Sequence, residues 1–112
     1  MNDLPAILRT QELYISITTI ASKLAGLERQ TLGRRAEDAT LEVLELLIMA
    51  KHAPKAHKPV YLIKATAQME LLQFHLRIVL EQKLANATTV HQLQAKITEI
   101  ARQVGGWLKS VQ

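Results

Sequence analysis

Residues 43–65 read VLELLIMAKHAPKAHKPVYLIKA. To the left of the centre, Val43, Leu46 and Ala50 fall three and four apart. To the right, Leu62 and Ala65 resume the same spacing. That is the period of a helix with one apolar stripe. Between them, Ala53 to Lys58 with Pro54 and the following Pro59 form the clearest break in the chain. A proline pushes the preceding residue out of the helical region, and Pro59 suits the first turn of a new helix. The stretch therefore predicts two antiparallel helices joined by a short turn, with lysines gathered around that turn.

Reading outward, the third block runs from Pro59 to about Leu84. Leu62, Ala65, Met69, Leu72, Leu76 and Val79 form its main stripe. Ala67, Leu71, Phe74 and Ile78 form a second stripe beside it. The second block runs from about Arg29 to Lys51, with Leu32, Ala36, Ala39, Val43, Leu46 and Ala50 in register and Leu41, Leu44 and Ile48 alongside. Gly33 lowers helicity in its first turn. A first block from Pro5 to Leu24 carries Leu13, Ile17, Ile20 and Leu24, with Asp3 as N-cap and Gly26 as terminator. Ala85 to Ala87 make a connection in which Asn86 suits the left-handed conformation that ends helices. The fourth block starts at Thr88 or Thr89, where Thr89 and Gln92 resemble a capping box, and carries Val90, Leu93, Ile97, Ile100, Val104, Trp107 and Val111. Gly105-Gly106 interrupts it late, a place for a bend, a frayed end or a close helix approach. No segment alternates with a period of two. The expectation is one all-α domain over residues 1–112, an antiparallel up-down four-helix bundle.

The chain has no Cys, which excludes disulfides and thiolate chemistry. The longest purely apolar run, Leu46 to Ala50, is far too short for a membrane span, and the N-terminus carries no signal-peptide pattern. The expected setting is cytoplasmic, with no membrane partner.

His52, His57, His75 and His91 show no i, i+3 or i, i+4 pair, and no Glu-x-x-His motif occurs, so no metal and no cofactor is expected. Glu37, Asp38, Glu42 and Glu45 suit charge pairing on a solvated face, Arg34 and Asp38 being four apart. No nucleophile has a base beside it, and an enzyme is not expected.

The basic residues carry more information. The formal net charge is +4. Arg29, Arg34 and Arg35 open the second block, Lys51, Lys55 and Lys58 surround the turn, and Lys64, Arg77 and Lys83 follow on the third. Lys51 to Lys64 should form one basic end able to hold phosphates by charge attraction, without base specificity. The alternative is an ordinary solvated helix end, where lysines also complement the helix dipole. Aromatics make up only 4%, which argues against stacking as the main mode, and Tyr61 is the one aromatic in the basic region. The wide stripes of the second and third blocks fit either a well-buried central pair or an apolar face for self-association that includes Leu71, Phe74 and Ile78.

Leu62 to Lys83, with Leu-Leu-Gln-Phe-His-Leu-Arg at 71–77, resembles the third helix of the accessory variability determinant proteins of diversity-generating retroelements. The ending Ile-Ala-Arg-Gln-Val-Gly-Gly-Trp-Leu-Lys-Ser at 100–110 resembles their C-terminal helix, and Leu24 to Arg35 their first connection. The resemblance spans about Leu13 to Ser110. A broader relative is the four-helix-bundle group encoded in ribosomal RNA intervening sequences. The resemblance implies a non-catalytic homopentamer that associates with a reverse transcriptase and binds RNA and DNA through a basic surface. On it, Arg77 matches a family arginine, while Gln73 stands where another arginine is expected. The nucleic-acid contacts expected are Arg34, Arg35, Lys51, Lys55, Lys58, Lys64, Arg77 and Lys83. The competing expectation is a structural or partner-helix module of the broader group with no nucleic-acid role.

Overall fold

The computed structural model describes the backbone of residues 3–112 and the side chains from residue 5 onward. Helix α1 is Asp3–Lys23. Helix α2 spans 26–52 and comprises Gly26–Glu28, a π-helical turn Arg29–Gly33 and Arg34–His52. A 3-10 turn, Lys55–His57, leads into α3, Lys58–Glu81, and α4 is Ala87–Val111. No strand occurs among the described residues. The α2–α3 pair packs most extensively, followed by α1–α2, α3–α4 and α1–α4. Each helix thus lies beside its chain neighbours, and α1 closes on α4, giving an antiparallel four-helix bundle 44 × 23 × 19 Å in extent.

The stripes form the core. Leu13 and Ile17 of α1 meet Val43 and Leu47 of α2, Leu72 and Leu76 of α3, and Ile97 and Ile100 of α4 in one buried cluster. Fully burying each such side chain contributes about 1.5–3 kcal/mol. Among the described residues, Thr10 and Thr40 are the buried polar side chains, and each hydroxyl donates to a carbonyl one turn back, Ala6 O and Ala36 O, both at 2.8 Å. Neither hydroxyl is left unsatisfied in the core.

The helix ends differ from expectation in three places. The N-cap role expected of Asp3 concerns a side chain outside those described. Helix α2 starts before Arg29, at Gly26, whose φ of +57° turns the chain between α1 and α2. Gly33 is a packing residue: a Cβ there would sit 3.3 Å from Ala21 Cβ and 3.4 Å from Leu24 Cδ1. Its missing side chain lets α1 and α2 approach, which a propensity argument does not see. The left-handed residue after α3 is Lys83 (φ 56°), not Asn86. Lys83 N donates to Leu80 O at 3.1 Å and Leu84 N to Val79 O at 3.0 Å, which is a Schellman motif. Asn86 is extended and caps α4, accepting from Thr89 N at 3.1 Å, so the expected Thr89–Gln92 capping box does not form the start. Helix α4 then runs through Gly105 and Gly106, where an added Cβ would meet nothing within 4 Å.

Candidate nucleic-acid interface

Between Glu45 and Glu70 the sequence holds four lysines, two histidines and no acidic residue. The fold gathers this segment at one end of the bundle. Ala53 and Pro54 leave the helix in extended conformation (ψ 152° and 153°). The Pro54 carbonyl then accepts from His57 N at 2.8 Å and Lys58 N at 3.2 Å, which starts α3. Lys58 turns back on α2, its Nζ donating to Ala50 O at 2.8 Å and Lys51 O at 3.0 Å. Its charge satisfies carbonyls left open at the helix C-terminus and complements the dipole there. Lys58 is therefore a capping residue rather than a free phosphate contact. Lys51, Lys55 and Lys64 are exposed.

The remaining predicted contacts are not one surface. Arg34 and Arg35 lie about 40 residues before His75 in sequence yet share with it a groove of about 560 Å3 between α2 and α3, lined also by Asp38, Glu42 and Gln68. Arg77 falls on the other flank of α3 from His75, two residues and so about 200° away. Gln73, one turn earlier on that flank, donates from Nε2 to Gln94 O at 3.2 Å, tying α3 to α4. A residue departing from the expected arginine thus has a structural task. Lys83 sits in the turn at the far end from Lys51 to Lys64. The expected Arg34–Asp38 ion pair does not form; among the described residues, Arg102–Glu99 at 2.6 Å is the ion pair within bonding distance. That hydrogen bond holds the Glu99 carboxyl below its ordinary range and raises the Arg102 guanidinium.

His75 is half-buried, and its Nδ1 is buried without a partner. Burial, and then the positive Arg35, push its pKa below the ordinary 6.5.

Two features at the basic end went unread in the sequence. Met49, His52, Ala53, Pro54, His57 and Tyr61 line a shallow groove of about 490 Å3. It is formed where the C-terminal end of α2, the extended turn and the first turn of α3, which carries Tyr61, come together. The second feature is the length of the α3 outer stripe. Leu71 and Phe74 are 48% and 47% exposed, and Ile78 is half-buried. Val60 (50%) and Ile63 (54%) extend the stripe to the basic end. The spacing of 60, 63, 67, 71, 74 and 78 carried that signal. Helix α3 is apolar on two faces, one of them outside this bundle.

No family model and no curated protein matches the chain. Among solved structures it is similar to a protein of unknown function from the S23 ribosomal protein family of Bacteroides thetaiotaomicron. The two share 14% identity and a TM-score of 0.87, covering 97% of this chain and 99% of that one. The likeness shows the fold: an all-helical four-helix bundle over the whole matched length. No described helix is long and apolar enough to cross a membrane.

Proposed function

We propose that this chain is a non-catalytic accessory protein that binds RNA and DNA through phosphate contacts at its basic end. The observation that carries this reading is the acid-free segment between Glu45 and Glu70, folded into one bundle end with Lys51, Lys55 and Lys64 exposed. A cluster of exposed lysines attracts a polyanion and releases its counterions on binding. The motif resemblance at 71–77 and 100–110 adds the finer terms: association with the reverse transcriptase of a diversity-generating retroelement, in the cytoplasm, as a homo-oligomer of five copies. The outer face of α3 supplies an apolar surface for that assembly.

The same face supports a second reading, a partner-helix module with no nucleic-acid role. Binding of RNA and of DNA, measured at low and at physiological salt, separates the two. The proposal expects affinity for both that falls steeply with salt. No association with either at low salt would refute it, and copurification with a helical partner alone would favour the second reading.

A further inference from the structure

We propose that the groove at the basic end receives one unpaired nucleobase, stacked on Tyr61, with Lys51 and Lys55 on the flanking phosphates. The inference rests on the nucleic-acid reading above and names the kind of strand that end would take.

The groove has two chemically distinct parts. Its walls are apolar and aromatic: Met49, 48% exposed, Pro54, exposed, and the half-buried ring of Tyr61. Its edges are the imidazoles of His52 and His57, which can donate or accept at a base edge depending on tautomer. The groove is shallow and open, so it would cover one face of a planar ring and leave the rest of the strand in solvent. Lys51 and Lys55 flank it in sequence and are exposed, and no acid lies between Glu45 and Glu70 to repel a phosphate.

These properties select among anions. A peptide of Asp and Glu would use the lysines but has no ring for the Tyr61 wall. A duplex presents phosphates but keeps its bases stacked inside. An unpaired strand offers both a backbone for the lysines and a free π-face, and stacking of this kind tolerates any base. The low aromatic content of the chain argues against an extended stacking platform, but a single placed ring is enough for one base.

The test compares a fluorescent oligothymidylate with a duplex of the same length at about 50 mM salt. The wild-type protein should prefer the single strand. Tyr61→Leu, which keeps apolar bulk against the core, should weaken single-strand binding about 5- to 100-fold and leave duplex binding unchanged. Tyr61→Phe should retain the wild-type preference. Lys51→Gln with Lys55→Gln should weaken both ligands and reduce the salt slope. Independently, an oligonucleotide carrying 5-iodouracil should crosslink to peptides containing Tyr61 or His57. Wild-type binding to both ligands with no effect of Tyr61→Leu, or crosslinks confined to other peptides, would overturn the groove assignment while leaving the nucleic-acid reading standing. Equal displacement of the single strand by polyglutamate at matched charge would likewise overturn it in favour of an acidic protein segment. Failure of the wild-type protein to bind either nucleic acid would overturn the functional reading itself.

Discussion

Lys83 occupies a backbone conformation that glycine adopts at far less steric cost. Its N–H and that of Leu84 close the end of α3, so the strain is held by the Schellman bonds. Lys83→Gly should therefore stabilise the fold by about 0.5–1 kcal/mol, read as a higher denaturant midpoint at unchanged slope. Glycines elsewhere give opposite signs. Gly105→Ala adds a Cβ into open space and should stabilise α4 by about 0.5–1 kcal/mol. Gly33→Val drives a branched side chain against Ala21, which has no torsion to yield with, and should cost about 1–3 kcal/mol. Thermal midpoints of the two variants should move in opposite directions. His75 supplies a pH dependence. Its folded pKa lies below the unfolded value near 6.5, so the unfolded chain binds more protons between the two. This group's contribution is constant above about pH 6.5, and stability falls as pH drops through that value toward the native pKa. His75→Gln should flatten that part of the stability profile, as measured by urea midpoints at successive pH values.

Among the elements, the α2–α3 junction is tied across its turn by Lys58. The ammonium reaches the last turn of α2 from the first residue of α3, so it links the two helices as well as capping one of them. Lys58→Met keeps the stem and removes the donor, and should cost about 1 kcal/mol by chemical denaturation. The helices themselves were legible in the sequence because the three-four spacing of residues such as Leu72, Leu76 and Val79 is set by the period of the backbone. Their ends were less so. Lys83 in a left-handed position and Asn86 as a cap are decided by which carbonyls remain open once Val79 and Leu80 are packed. Composition favoured Asn86 for the first task. The π-helical turn at Arg29–Gly33 has no sequence signal of its own; it ends at Gly33, where α1 and α2 come close.

In the whole molecule, the candidate site was partly legible. The basic end could be read from Pro54, Pro59 and their lysines, since an antiparallel hairpin brings such residues together. The separation of Arg77 from Arg34 and Arg35 could not, because it depends on which flank of α3 faces α2. The outer α3 stripe was visible as a second periodicity, and its exposure marks the face on which the proposed self-association would occur. Leu71→Glu with Phe74→Glu should reduce the scattering mass to that of a single chain while helicity by circular dichroism stays unchanged. An unaltered assembly would place the contact on another face.

The neighbour-by-neighbour packing also governs how quickly the chain finds this fold. Pairing α2 with α3 requires only the turn at 53–57 to close, a small loss of chain entropy. Pairing α1 with α4 brings together segments separated by most of the chain, so it has little to gain until the other three helix pairs are docked. A bundle wired in this way is expected to fold in about microseconds to milliseconds, and loop entropy predicts that the central hairpin closes before the α1–α4 seam, which higher φ-values at Leu47 and Leu72 than at Leu13 and Ile97 would check. The basic turn, on which the proposed binding depends, would then be in place before the bundle is complete.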